Sequence, residues 1–250
     1  VFNPFYVMGL IGRMNKIYRG LPKWRDPFAR FFHEDSLAYF DHLTKFEDQK
    51  LDLSIDFIYF PLQMQPEMTT SALGGKFRDQ AFAIEKLASI LPDGVKIFVK
   101  ENPKQGAYMR GPLFFHRLKR IKAVEFLPSW ADTHELTKAC KFVATITGTV
   151  GWEAVCKGKP ALIFGNAWYR SLEGVYEWSE DLTYKEVSES LVDHSRLERK
   201  VGNLLSKSHS GVVDRHYQVL VENFDKDKNN FKVATTIINL LIDEEKLTFG

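Results

Sequence analysis

The chain has 250 residues, 44% hydrophobic and 26% charged, close to the globular average, which excludes a disordered or fibrous protein. Basic residues number 34 and acidic ones 32, a formal net charge of +2, too balanced for a chain whose main partner is a long nucleic acid. Two cysteines, Cys140 and Cys156, make neither a disulfide scaffold nor a zinc site and suit a reducing cytoplasm.

The first thirty residues hold six aromatics (Phe2, Phe5, Tyr6, Tyr18, Trp24, Phe28) and six basic residues (Arg13, Lys16, Arg19, Lys23, Arg25, Arg30) against one acid, Asp26. This arm either packs on a neighbouring domain or touches an anionic lipid surface or a phosphorylated acceptor. Residues 1–50 read as helical or irregular, broken by Pro4, Pro22 and Pro27. No run of about 18 apolar residues is present to span a membrane. The start lacks the charged and apolar regions of a signal peptide, and its opening on Val1 suggests a fragment or a processed product.

From Ser54 the texture changes. Ile55 to Phe60 predicts a strand ended by Pro61. Gly74-Gly75 punctuates a loop. Phe77, Ala81, Ile84, Ala88 and Leu91 recur at helical spacing until Pro92-Asp93-Gly94. Val95–Val99 predicts a second strand, Leu113–Ile121 a helix, and Ala123–Leu127 a third strand. Asp132 or Thr133 caps a helix running through Ala139, and Phe142–Ile146 is a fourth strand. Thr147–Lys157 turns sharply into a helix, and Pro160–Phe164 is a fifth strand. The last 60 residues carry three apolar helical faces: Leu197/Val201/Leu204/Leu205, Val213/Tyr217/Leu220/Phe224, and Phe231/Ala234/Ile238/Leu241/Ile242. Apolar strands alternating with helices predict an α/β fold, a Rossmann-like parallel sheet over 51–180, with a helical arm over 1–50 and C-terminal helices over 181–250.

Ligands of such sheets bind beyond the carboxyl ends of the strands, so the residues after each strand are the candidates. Thr147-Gly148-Thr149 turns from strand into helix, where free N–H groups and hydroxyls can cradle a phosphate, and Glu153 one turn later suits a ribose. The same residues also read as an N-cap and a dipole-matching acid. The segment is neither GxGxxG nor a Walker loop, which argues against hydride transfer and ATP hydrolysis. Glu67 after Pro66 is either a nucleophile or base, or a cap. Lys100 either neutralises a phosphate or snorkels from a strand end. Asn102 before Pro103 is equally a turn former. The seven histidines form no metal-binding spacing, so no metal site is expected.

Several segments are linked in order: Pro61-Leu62-Gln63-x-Gln65-Pro66-Glu67, Gly74-Gly75-x-Phe77-x-Asp79-Gln80, and Val99-Lys100-Glu101-Asn102-Pro103. Thr145–Ala154, Gly158-Lys159-Pro160 and Phe164-Gly165-Asn166-Ala167-Trp168-Tyr169 complete the set. Together they resemble the capsule polysaccharide biosynthesis family, which includes bacterial Kdo glycosyltransferases using CMP-Kdo. The resemblance implies the C-terminal half of a GT-B glycosyltransferase, with the arm 1–50 a remnant of the N-terminal half. It implies no cofactor and no metal besides a nucleotide-sugar donor, CMP-Kdo or a related acidic sugar. It further implies Glu67 and Asn102 as catalytic residues, and Gln63, Gln65, Lys100, Thr147, Gly148, Thr149, Glu153, Trp168 and Tyr169 as donor-binding residues. The family usually shows His-Pro where this chain has Asn102-Pro103, and asparagine donates hydrogen bonds but carries no titratable proton. A lipid-linked or glycan acceptor and a cytoplasmic address, peripheral on the inner membrane face, follow from the same resemblance. The alternatives are a nucleotide-sugar epimerase-like enzyme and a catalytically silent binding module of a polysaccharide assembly complex.

Overall fold

The computed structural model describes residues 50–105, 110–128 and 130–242, with Met8 and Lys45. The basic aromatic arm expected over 1–30 lies, apart from Met8, outside the described residues. Two compact units are present: Val1–Arg170 with Gly174–Val192, and Ser171–Glu173 with Asp193–Gly250. No helix among the described residues is long and apolar enough to cross a membrane.

The first unit is built on β1 (Phe57–Pro61), β2 (Lys96–Lys100), β3 (Val124–Phe126), β4 (Val143–Thr145), β5 (Ala161–Ile163) and β6 (Val175–Glu177). All pairings are parallel, in the order β3-β2-β1-β4-β5-β6. Between them run α1 (Met68–Ser71), a 3-10 turn (Gly75–Arg78), α2 (Gln80–Ser89), α3 (Pro112–Lys119), α4 (Thr133–Ala139) and α5 (Thr149–Cys156), and after β6 comes α6 (Tyr184–Ser188). The five expected strands are found, and the three-residue edge strand β6 is an addition.

The strands are apolar because both sheet faces are covered, and alternation decides which side chain meets which layer. Ile58, Phe60, Leu62, Ile97 and Val99 pack with Ala81, Ile84 and Leu87 of α2 and Phe115 and Leu118 of α3. Phe57, Tyr59, Phe98 and Val143 pack on the other face with Leu136 of α4 and Ala154 of α5. Caps set the helix starts. The Asp79 carboxylate accepts the N–H groups of Ala81 and Phe82, so the helix expected from Phe77 begins instead at Gln80. Asp132 accepts those of His134 and Glu135, and these bonds hold its carboxyl below the usual range.

Pro61 does not end β1 early; it is the last strand residue, paired in register with Lys100. The Tyr59 N–H donates to Phe142 on the β4 side at 3.2 Å, and the Leu62 N–H donates to Lys100 at 2.8 Å. Odd-numbered amides therefore face β4, and Pro61 is the odd position with no N–H to give. The described β1–β4 register is the pair Tyr59↔Val143.

The second unit contains α7 (His194–Ser206), α8 (Arg215–Gln218) and α9 (Lys226–Leu241). The long helix expected around Val213–Phe224 shrinks to the four residues of α8, and Val213, Tyr217 and Leu220 are exposed. The Asn229 side chain holds Val212 from both sides, at 2.8 Å to its N–H and 3.0 Å to its carbonyl.

Candidate functional site

In this strand order the connections after β1 and β4 leave toward opposite faces of the sheet, which opens a crevice at the topological switch point. A cavity of about 280 Å³ occupies it. Gln63, Glu67 and Thr69 from the β1 connection, Asn102 beyond β2, and Thr147–Val150 at the start of α5 form its walls. Six of the residues expected from the sequence thus come together: Gln63, Glu67, Asn102, Thr147, Gly148 and Thr149.

Their donors are less free than the sequence suggests. The Thr147 N–H donates to the Gln63 side-chain carbonyl at 2.8 Å, and the Thr147 hydroxyl donates to the Thr69 carbonyl at 2.8 Å. The Gly148 N–H donates to the Thr145 hydroxyl at 3.2 Å. The cradle therefore shifts one step along: Gly148, not Thr147, is the N-cap of α5, and it gives no side-chain cap. Thr149 is exposed, and the amides of Thr149 and Val150 stand in the first turn, where helical N–H groups lack carbonyl partners. Those two amides, the Thr149 hydroxyl and the positive end of α5 form a set of groups suited to receive an anion.

Glu67 is half-buried at the N-terminus of α1, caps nothing, and is met by the Thr69 hydroxyl at 3.5 Å. Its carboxylate is available to chemistry. Asn102 lines the cavity while its side-chain carbonyl accepts the Lys104 N–H at 2.9 Å, so the turn-forming reading and the lining reading both hold. That bond uses the carbonyl and leaves the amide NH₂ as the group to offer a ligand.

Five expected donor-binding residues do not line this cavity. Gln65 is buried: its side chain donates to the Arg78 carbonyl at 2.7 Å and accepts from Gln80 at 2.8 Å and Arg110 at 2.9 Å. Lys100 alternates onto the opposite sheet face, where its ammonium donates to the Ala131 carbonyl at 2.6 Å. Burial holds that ammonium below the ordinary lysine value, against the pull of Asp132. Tyr169 is fully buried, and its hydroxyl donates to the Gly148 carbonyl, so it fixes the turn from behind. Burial pushes its phenol well above the ordinary value. Trp168 is 55% exposed and leans on Trp152, ring centroids 5.3 Å apart. Glu153 is half-buried on α5, one turn past Thr149.

Beneath the crevice lies a buried polar hub. The Arg110 guanidinium is completely buried and pairs with Glu101 through Nε at 2.9 Å, with a second contact at 3.4 Å. It also donates to the Gln65 side chain at 2.9 Å and to the Gln63 carbonyl at 2.8 Å. The Gln80 side chain both accepts the Gln63 N–H and donates to the Gln63 carbonyl, each at 2.8 Å. Gln105 does the same for Gln65, at 2.8 and 3.0 Å. These side chains replace the ladder partners that the connection after β1 lacks. Glu101 thus pairs with Arg110 rather than with its neighbour Lys100. Arg110 and Gln105 escape a sequence reading; Gln80 stands in a segment of the resemblance but carries no role there. Among the described residues no group of three His, Cys, Asp or Glu side chains could hold a metal ion.

A family model described as capsule polysaccharide biosynthesis protein matches residues 36–189. No curated protein matches the chain. Among solved structures the chain is similar to the beta Kdo 2,4 transferase KpsC of Thermosulfurimonas dismutans, at 16% identity and a TM-score of 0.40, over 57% of this chain and 44% of that one. It is similar to the beta Kdo 2,7 transferase KpsC of the same organism at 13% identity and a TM-score of 0.35, over 69% and 53%. It is also similar to the UDP-GlcNAc 2-epimerase of Methanocaldococcus jannaschii at 16% identity and a TM-score of 0.40, over 70% and 50%. The chain spans about half the length of these structures. The parallel sheet, the crevice at its switch point and the match over residues 36–189 lead to one conclusion: this chain belongs to the capsule polysaccharide biosynthesis protein family.

Proposed function

We propose that the chain is the donor-binding part of a glycosyltransferase that moves Kdo, or a related acidic sugar, from a CMP-activated donor onto a lipid-linked or glycan acceptor. The observation that carries this reading is the shared cavity: the open amides of α5, the Asn102 amide and the Glu67 carboxylate line one space of about 280 Å³. The Thr149 and Val150 amides and the Thr149 hydroxyl meet the donor phosphate, as helix N-termini do. Asn102 donates to the leaving phosphate. Glu67 acts at the anomeric carbon in one of two ways: it takes the proton of the acceptor hydroxyl while that oxygen bonds to the carbon and CMP departs, or it bonds to the carbon itself as CMP departs and then yields the sugar to the acceptor hydroxyl, whose proton passes to solvent. Glu153, a turn from the phosphate, takes the ribose. The reaction needs no further cofactor. It places the protein in the cytoplasm, against the inner membrane face where a lipid-linked acceptor is presented.

Calorimetric titration of the chain with CMP and, separately, with UDP tests the reading. CMP binding with weak or absent UDP binding is the expected result. Preference for UDP replaces it with epimerase-like chemistry, and binding of neither leaves a silent module.

A further inference from the structure

The buried hub makes more hydrogen bonds than the backbone above it needs. Gln80 accepts the Gln63 N–H and donates to the Gln63 carbonyl, and Gln105 does both for Gln65. Those bonds satisfy the main chain of both residues without any charged group. Arg110 adds a second donor to the same Gln63 carbonyl, at 2.8 Å, from a guanidinium that is completely buried. Burying a cation that never loses its proton is unfavourable, and a packed apolar side chain is often as stable in such a place. The backbone it meets therefore does not explain why an arginine stands here.

We propose that Arg110 is the positioning residue of the switch-point cavity: its guanidinium ties the Gln63 wall to the Asn102 wall and holds the groups that receive the donor at a set spacing. The inference rests on the transferase reading above for the identity of the ligand.

The ties run from atom to atom. On the β1 side, Nη2 holds the Gln63 carbonyl and Nη1 holds the Gln65 side chain at 2.9 Å. With its main chain fixed, Gln63 extends its own side-chain carbonyl to the Thr147 N–H at 2.8 Å. On the β2 side, Nε holds one carboxylate oxygen of Glu101 at 2.9 Å, and the other oxygen accepts the Asn102 N–H at 2.8 Å. Gln63 and Asn102 both line the cavity. Each wall thus reaches the guanidinium through no more than one intervening side chain.

The task suits arginine and not lysine. The guanidinium nitrogens lie in one plane at fixed angles, and each takes a different first partner: Glu101, Gln65 or Gln63. An ammonium is a point charge on a flexible stem; it can pair with Glu101 but cannot span the other two as well. The Phe114 ring lies over the guanidinium, its centroid 4.9 Å from Cζ, so the fork is packed as well as bonded. Arg110 is shut off from the cavity by burial and acts on it through Gln63 and Asn102.

The test compares variants of the full chain at a temperature where each is folded: Arg110→Lys, the double variant Glu101→Gln/Arg110→Met, and Leu118→Ala, a buried core position on α3, as control. The double variant removes both buried charges and keeps a side-chain oxygen for the Asn102 N–H. CMP calorimetry and amide hydrogen exchange by NMR are read together. Arg110→Lys and the double variant should each weaken CMP binding about tenfold or more, the scale of a misplaced site. Both should speed exchange of the Gln63, Asn102 and Thr147 amides beyond the change in global stability. Leu118→Ala should lower the melting temperature, as a core cavity does, and leave CMP affinity and the relative exchange of those amides unchanged. Wild-type CMP affinity in the Arg110 variants, or an affinity loss that follows melting temperature through all three, overturns the proposal. If Arg110→Lys does not fold, the double variant decides. If the wild type binds no CMP, the exchange pattern decides alone. Faster exchange confined to the Arg110 variants then supports the positioning role and overturns the donor reading; equal exchange in all variants overturns the positioning role.

Discussion

The side-chain amide of Gln63 holds Thr147 across the switch point, its carbonyl accepting the Thr147 N–H at 2.8 Å while its NH₂ meets the Thr147 hydroxyl at 3.4 Å. One wall of the crevice thus occupies donors of the other wall. The two threonines of the turn consequently have different duties. Thr147 is buried and ties α1 to the sheet, whereas Thr149 is exposed and lines the cavity.

Thr147→Val should lower unfolding stability by about 1 kcal/mol, the value of one hydrogen bond. Thr149→Val should leave stability unchanged and weaken CMP binding by about 1–2 kcal/mol, as for a bond to a charged group. Urea unfolding and calorimetry on both variants separate the roles; a Thr149 variant with wild-type CMP affinity would move the phosphate elsewhere.

Glu67→Gln keeps the volume and removes the charge. With a competent acceptor, turnover should fall about 100-fold or more while CMP affinity stays the same. Full turnover in the variant would take Glu67 out of the mechanism, and loss of CMP affinity alone would make it a binding residue.

The Glu101–Arg110 pair is nearly inaccessible, with side-chain exposures of 7% and 0%. Glu101→Gln leaves a guanidinium buried without its counter-charge and should cost about 3–5 kcal/mol. The double variant Glu101→Gln/Arg110→Met should lose less than the sum of the two single variants, by about 1–3 kcal/mol. Strict additivity in denaturant midpoints would show that the pair does not act as a unit.

A helical glycine replaced by alanine normally gains about 1 kcal/mol. Gly151 should show the opposite sign. The Tyr169 ring crosses the helix there, and a Cβ at 151 would press on its hydroxyl and lie 3.0 Å from the ring carbon that bears it. Gly151→Ala should therefore destabilise by about 1–3 kcal/mol, as overpacking does, and thermal unfolding reads the sign directly.

Burial pushes the Cys140 thiol and the Tyr59 phenol each up to about 12, from ordinary values of 9.0 and 10.0. Both are raised in the folded state, so their contribution is complete below the unfolded values and is lost as pH rises toward 12. In that window the unfolded chain has released protons that the folded chain retains, and stability falls by up to about 1.4 kcal/mol per pH unit for each group. Between pH 9 and 10 the loss should be reduced in Cys140→Ala; between pH 10 and 11 it should be reduced in Tyr59→Phe. Unchanged slopes in urea unfolding across those ranges would show that neither group governs the alkaline limb.

The sheet was legible because its strands are apolar on both faces, and the helix starts were legible where a side chain such as Asp132 makes the cap. β6 was not: Val175-Tyr176-Glu177 is three residues long, on a sheet edge and only partly buried, so it leaves no apolar run. Val213, Tyr217, Leu220 and Phe224 have helical spacing, yet only Arg215–Gln218 is helical, because spacing says nothing about whether a surface exists to bury them. The cavity walls were legible from strand ends alone. The hub was not, since Arg110 reaches Gln63 across 47 positions of sequence and a whole βαβ connection. Periodicity reports neighbours within an element, and a match of motifs does not show which way a side chain turns: Gln65, Lys100 and Tyr169, which the resemblance makes donor-binding, bond Gln80, the Ala131 carbonyl and the Gly148 carbonyl instead.

Pro61 gives the crevice a particular mechanical character. Because its ring nitrogen has no hydrogen, the seam between the two central strands is missing a rung by covalent structure, whatever shape the loops take. Spreading the strand ends at that point breaks no main-chain bond. The Gln63 amide spans the gap instead, its carbonyl on the Thr147 N–H and its NH₂ on the Thr147 hydroxyl. The mouth of the crevice is therefore bordered by a side-chain contact where a further rung between the two strands would fall.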